Sequence, residues 1–307
     1  MSRILYIGGC TRSGSTLVDR MLGQLPGFVS TGEFGLITTH SITENRLCGC
    51  GRRFRDCPYW TAIGDKAFGG WDGPDAAELV RLHPQVTRQR YIPLLILPSL
   101  SPAFARKLRR YRALLARLYA AVGAVSGADI VVDSTKAPAY ALALRGIPDV
   151  DLRIFDLVRD SRGTAYSSSK EQVMKDSIDR VVRKHRYAAP IITARWIVYH
   201  LIFDCIRIAG IPGITVRYED VVRSPKQQLR RIAAFAGRPV DEHALDFIVP
   251  PTVHMREDHT AVGNDSRLDQ GTITLREDDA WRTKLPAQSR KLVTLMSWPL
   301  LKRWRYV

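Results

Sequence analysis

Gly9-Cys10-Thr11-Arg12-Ser13-Gly14-Ser15-Thr16 is the most informative stretch of this chain. It follows the apolar run Ile4-Leu5-Tyr6-Ile7. It precedes Leu17, Val18, Met21, Leu22 and Leu25, whose spacing places them on one face of a helix over 15–25. A glycine-rich turn between strand and helix lets backbone N–H groups wrap an anion, and the helix N-terminus adds the positive end of its dipole. The spacing is that of a phosphate loop, G-x-x-x-x-G-[K]-[ST], with Ser15 where a nucleotide triphosphatase carries its lysine. The loop predicts anion binding without the usual cation.

Three further β-branched runs follow: Ile130-Val131-Val132, Ile154-Phe155-Asp156-Leu157-Val158 and Ile214-Thr215-Val216. Each leads through a polar turn into a helical pattern, as over 224–237. Uniformly apolar strands alternating with helices predict an α/β fold, a P-loop-type parallel sheet flanked by helices on both faces. No repeat and no Pro/Gly/Ser-rich linker divides residues 1–307, so one domain is expected. Residues 38–125 break the alternation with a Cys-rich turn, a Pro-broken apolar stretch over 91–102 and a basic amphipathic helix near 103–124. They are expected to form a helical and loop lid inserted in that domain.

Of the 307 residues, 45% are hydrophobic and 25% charged, which suits a packed core and excludes a wholly disordered chain. Five cysteines are too few for a disulfide framework. The absence of about 18 continuous apolar residues, and of a signal peptide, makes a cytoplasmic location the expectation. The net charge of +16 is concentrated in two acid-free segments, 79–128 with nine basic residues and 280–307 with seven. Such fields suit an anionic acceptor or an acidic membrane. Peripheral contact with the inner membrane face is expected where the 91–104 run adjoins Arg106–Arg112. Nucleic acid is not expected as a partner, since no zinc finger, aromatic RNP run or basic helix-turn-helix is present.

The missing lysine separates two classes of function, because a kinase needs it beside Mg²⁺ to neutralise the β- and γ-phosphates. Ile130-Val131-Val132-Asp133 has the form of a Walker-B strand, so a P-loop kinase or NTPase with an altered lysine stays as an alternative. A non-enzymatic basic protein binding membrane or nucleic acid is a third reading.

Thr11-Arg12-Ser13-Gly14-Ser15-Thr16-Leu17 resembles the 5′-phosphosulfate loop of sulfotransferases that use 3′-phosphoadenosine 5′-phosphosulfate (PAPS). The run from Leu157 through Arg159 to Ser167 resembles their 3′-phosphate motif. Ser167 falls about two helical turns after Arg159, so guanidinium and hydroxyl are expected to converge on one phosphate. Val216-Arg217-Tyr218-Glu219-Asp220-Val221 with Ser224-Pro225 resembles the family's next strand and helix. Gly263–Arg267, Trp281 and Trp298–Trp304 resemble the C-terminal part of bacterial members similar to the carbohydrate and tyrosylprotein sulfotransferases.

The resemblance implies sulfuryl transfer from PAPS, leaving 3′-phosphoadenosine 5′-phosphate (PAP), to a hydroxyl of a small-molecule, carbohydrate or lipid acceptor by in-line displacement. Arg12, Ser13, Gly14, Ser15 and Thr16 are then expected at the 5′-phosphosulfate, with Arg159, Ser167 and Arg267 at the 3′-phosphate. Acceptor specificity is expected within 38–125, where the resemblance is weakest.

Sulfuryl transfer needs a base, cations on the transferring group and support for the leaving phosphate. It requires no metal, since a sulfuryl group carries less charge than a phosphoryl group. Glu33, in Ser30-Thr31-Gly32-Glu33-Phe34 after the first helix and a short strand, is the expected base; Asp19, His254 and His259 are alternatives. Lys136, leaving the 130–132 strand, is expected at the bridging oxygen. Asp133 is expected to orient Lys136 or cap a helix. Trp281 reads as core packing, and Cys10 and Cys205 as small buried residues. Cys48, Cys50 and Cys57, with His40 as a candidate fourth ligand, lack the paired C-x₂₋₄-C arms of a zinc site, so no metal is expected and the thiols read as packed or free.

Overall fold

The computed structural model describes every residue except Met1, Gln172, Asp179, Arg180 and Lys184. Five parallel strands form the central sheet: β1 (Ser2–Gly9), β2 (Phe28–Ser30), β3 (Ile130–Lys136), β4 (Val150–Val158) and β5 (Gly213–Arg217). Their order is β2-β3-β1-β4-β5. The loop-bearing strand is therefore central, and its residues Ile4 to Ile7 are buried on both sides. Parallel strands share one carboxyl edge, so the segments leaving β1, β2, β3 and β4 meet there.

Alternate residues of each strand feed opposite layers, as the two-residue period requires. Ile4, Tyr6, Val131 and Ile154 pack with α2 (Pro102–Ser126) and α3 (Pro138–Leu144) on one face. Leu5, Ile7, Val132 and Phe155 pack with α1 (Ser15–Gly23) and α6 (Pro225–Phe235) on the other. A third cluster joins α4 (Ser161–Ser169), α5 (Ala189–Ile208) and α7 (Ala287–Arg303) through Val158, Ala165, Trp196, Val293 and Trp304. The sheet is thus flanked on both faces, as the alternation of apolar runs predicts.

Residues 38–125 divide in two. Ser101 caps α2, accepting from the Phe104 N–H at 3.3 Å, and Pro102 occupies its first turn. Leu108, Tyr111, Leu115, Leu118 and Val122 recur at helical spacing and are buried, so this basic helix forms part of the layer covering the sheet. Its outer arginines are partly neutralised, Arg110 and Arg117 both pairing with Asp75. The Pro-broken stretch before it leaves Ile96, Leu97 and Leu100 exposed.

Helix α5 is, among the described residues, the one helix long and apolar enough by length and composition to cross a membrane. It packs on α4 and α7, and its fully buried His200 hydrogen-bonds Asp156 of β4 at 2.7 Å. Its other side exposes Ile191, Val198, Leu201 and Ile208. Cys205 is exposed rather than buried, because it falls on that outer stripe.

Candidate active site

A cavity of about 600 Å³ opens at the carboxyl edge of the sheet. Seven predicted site residues line it: Arg12, Gly14, Ser15, Thr16, Glu33, Lys136 and Ser167. Arg46, Lys170 and Arg183 join them, Arg46 paired with Glu44 and Asp176 and Arg183 with Glu171, and Glu33 is the one carboxylate among the lining residues. Leu36, Met174, Val182 and Tyr187 provide apolar wall.

The loop between β1 and α1 has the backbone its glycines permit. Gly14 caps α1 at φ +85°, and a methyl group there would come within 2.3 Å of the Tyr218 ring. Arg12 adopts φ +67° without being glycine, a strained conformation typical of functional turns. The first N–H groups of α1 have no helical acceptor, and Gly14, Ser15 and Thr16 line the cavity. Ser13 Oγ is buried beside them with no hydrogen-bond partner among the described residues. Thr16 Oγ1 accepts from the Asn264 N–H at 3.3 Å, which brings the 263–266 turn over the loop.

Glu33 and Lys136 leave neighbouring strands. β3 lies between Glu33's strand and β1, and its register with β1 shifts so that Lys136 stands opposite Gly8. Lys136 has φ +68°, and its Nζ donates to the Ser134 carbonyl at 2.8 Å and lies 2.9 Å from Glu33 Oε1. The Glu33 N–H donates to the Val262 carbonyl at 2.8 Å. Gly32 must be glycine, because a methyl group there would lie 1.9 Å from the same oxygen.

Asp133 does not contact Lys136 directly. It accepts from Tyr119 Oη at 2.5 Å and from the Thr135 N–H at 2.9 Å, and Thr135 Oγ1 in turn accepts from the Gly35 N–H at 2.7 Å. The aspartate thus positions the Lys136 turn and the Glu33 turn together. Burial lifts its carboxyl to about 6. With both oxygens bonded to protein groups, it is poorly placed to hold Mg²⁺ in the Walker-B manner.

Two predicted anion ligands sit elsewhere. Arg159 is buried, donating to the Arg12 carbonyl at 2.8 Å and to Asp278 Oδ2 at 2.9 Å, with its guanidinium over the Tyr218 ring. Its guanidinium is paired with Asp278, while Ser167 lines the cavity with its carbonyl 3.4 Å from Arg12 Nε. Arg267 is wholly buried and donates to the Leu47 carbonyl and to Asp176, which makes it a tie between segments rather than a cavity ligand.

The remaining candidates take structural positions. Asp19 is buried and accepts from Ser30 Oγ at 2.5 Å. His254 is exposed on a strand outside the sheet. Trp281 packs on Gly163 and under Arg162, in keeping with its reading as core. His40 lines the cavity, and His259 takes its place beside the three thiols. Buried Arg20 of α1 binds Asp258 at 2.6 Å and the Ser266 and Asp269 carbonyls, clasping the 256–269 segment across the site. Sequence reasoning missed Arg46, Lys170 and Arg183, which carry no motif; Arg183 comes from a short two-stranded hairpin and Lys170 from the end of α4.

The sulfotransferase family model matches residues 5–242. The chain belongs to the sulfotransferase family. No curated protein sequence matches it. Among solved structures, this sulfotransferase is similar to the sulfotransferase domain of the Synechococcus PCC 7002 olefin synthase. The two are 20% identical with TM-score 0.50, over 96% of this chain and 94% of that one. It is also similar to the sulfotransferase domain of the curacin biosynthetic pathway, at 15% identity and TM-score 0.50 over 98% of both chains. Retinol dehydratase, solved with androsterone and the inactive cofactor PAP, is 13% identical with TM-score 0.41, over 97% of this chain and 80% of that one. The first two likenesses concern the fold; the enzyme class rests on the family.

Proposed function

We propose that this sulfotransferase takes the sulfuryl group of PAPS and transfers it to a hydroxyl of a small acceptor with an apolar body. The Glu33–Lys136 pair, 2.9 Å apart on the wall of the cavity that includes the loop 11–16, carries the reading. The amides of residues 13–16, the orphaned Ser13 hydroxyl and Arg12 suit the 5′-phosphosulfate. Arg159 and Ser167 are assigned to the 3′-phosphate, the guanidinium exchanging Asp278 for the ligand.

Glu33 takes the acceptor proton as the acceptor oxygen bonds to sulfur. The bond from sulfur to the bridging oxygen breaks, and PAP leaves with that electron pair. Lys136 offsets the charge gathering on the bridging oxygen, and Lys170 adds positive field. Leu36, Met174, Val182 and Tyr187 favour an acceptor with apolar surface next to its hydroxyl. Against the kinase alternative stand the missing lysine at Ser15 and the occupied oxygens of Asp133.

Calorimetric titration with PAP and, separately, with Mg²⁺-ATP tests the donor, followed by radiolabelled-sulfate transfer from PAPS to a panel of alcohols and phenols. PAP is expected to bind at least tenfold tighter, about 1.4 kcal/mol. A preference for Mg²⁺-ATP overturns the reading.

A further inference from the structure

Cys48, Cys50, Cys57 and His259 are brought together from two segments far apart in the chain, and their ligand atoms all lie within 4.8 Å of one another. Cys50 Sγ is 3.7 Å from Cys57 Sγ. His259 Nδ1 is 3.3 Å from Cys57 Sγ and 3.8 Å from Cys48 Sγ. Zinc bonds of about 2.3 Å to sulfur and 2.0–2.1 Å to nitrogen, at tetrahedral angles, put sulfurs about 3.8 Å apart and sulfur from nitrogen about 3.5 Å. The three separations of 3.7, 3.3 and 3.8 Å lie within about 0.3 Å of the corresponding edges of that tetrahedron. None of the thiols is in a disulfide, and Cys48 and Cys57 are fully buried.

We infer that these four side chains hold a structural zinc ion. Spacing alone argued against it because the fourth ligand is neither a second cysteine pair nor nearby His40. It arrives from the loop before Thr260, more than 200 residues after the thiols.

The surroundings are built to orient the ligands. The Cys48 N–H donates to the Arg52 carbonyl at 2.8 Å and the Gly51 N–H to the Cys48 carbonyl at 2.9 Å, closing a tight knuckle around Cys48 and Cys50. Gly49 lets that knuckle touch the far loop: its N–H donates to the Thr260 carbonyl, and a methyl group on it would lie 2.4 Å from Asp258 Oδ1. Cys57 caps the helix Pro58–Phe68, whose N-terminus favours a thiolate. Next to it, the Tyr59 ring lies parallel to the His259 imidazole at 4.7 Å, and Trp60 Nε1 donates to the His259 carbonyl at 2.8 Å. Such outer contacts fix a ligand histidine's orientation. Three sulfurs and an imidazole leave no open coordination position, so the ion is structural and outside the sulfuryl-transfer chemistry.

Its place gives it work to do. The ion clamps residues 48–57 to 259. Immediately beyond lie the Ala261 N–H bonded to the Thr31 carbonyl and the Val262 carbonyl that accepts from Glu33. The clamp therefore fastens the segment carrying Arg46 to the strap that holds the catalytic turn.

Metal analysis of the full-length protein, purified without chelator, is expected to find about one zinc per chain. Replacement by Co²⁺ is expected to give the visible bands of a tetrahedral site with thiolate-to-cobalt charge transfer. Cys50→Ser, at the half-exposed ligand, is expected to lower zinc retention at least tenfold under dialysis against a competing chelator, with PAP binding measured alongside to show that the chain is folded. Substoichiometric metal with no cobalt charge transfer in the wild-type protein overturns the inference, whether the thiols titrate as free or the intact mass is two daltons low from a disulfide. The wild-type cobalt spectrum decides the matter even if Cys50→Ser fails to fold.

Discussion

Lys136 Nζ lies 2.9 Å from Glu33 Oε1, although the two residues leave different strands and neither belongs to the phosphate loop. The pair joins the assigned base to the assigned leaving-group cation. Glu33→Gln is expected to leave PAP affinity within about twofold while lowering single-turnover transfer about 10²- to 10⁴-fold. Near-normal transfer would remove Glu33 as the base. Lys136→Ala is expected to lower kcat by a comparable factor, and leaving-group analogues of lower pKa should restore part of the loss.

Arg159 shares its guanidinium between the Arg12 carbonyl and Asp278. If a 3′-phosphate displaces that carboxylate, removing the competitor helps the ligand. Asp278→Asn is expected to tighten PAP binding several-fold, and Arg159→Ala to weaken it at least tenfold, about 1.4 kcal/mol. Calorimetry on both variants checks this; unchanged affinity in both would place the 3′-phosphate elsewhere.

Gly14 and Gly127 both have positive φ, but only Gly14 has a ring in the way. Gly127→Ala therefore measures the left-handed backbone penalty alone, about 1 kcal/mol. Gly14→Ala is expected to cost more than that and to abolish PAP binding, because Tyr218 must move from beneath Arg159. Denaturant melts with and without PAP compare the two.

Burial raises the Asp133 carboxyl to about 6, above the unfolded value of about 4. The folded state holds this proton more tightly. Its stabilising contribution is therefore complete below about pH 4 and lost as pH rises through about 6, amounting to about 3 kcal/mol at most. The stability advantage of the wild type over Asp133→Asn is expected to be larger at pH 4.5 than at pH 7.5. Denaturant unfolding at the two pH values checks the sign.

The strands and the loop were legible in the sequence because their signals are local: β-branched runs, glycines at fixed spacing and helical periodicity. Glu33 and Lys136 could be assigned because a parallel sheet delivers its strand ends to one edge. Arg267 and Arg159 were harder, since what a buried guanidinium binds depends on Asp176 and Asp278, far from either in sequence. The grouping of the three thiols with His259 was not legible for the same reason, its fourth member being set by a loop packing that spacing does not encode. The charge pattern also needed the fold. The cavity's Arg12, Arg46, Lys136, Lys170 and Arg183 all lie outside the two acid-free segments that hold the net excess.

Arg20 shows when this site comes into being. Chains emerge from the ribosome N-terminus first, and a domain generally folds as a unit. The last strand of the sheet ends at Arg217, whereas Arg20's partners, Asp258, Ser266 and Asp269, are synthesised later. Until they arrive, the phosphate loop stands beside an arginine with none of these partners, and Glu33 lacks the Val262 carbonyl that anchors its turn. The phosphate loop and the Glu33 turn therefore take their anchors from residues synthesised after the last strand of the central sheet.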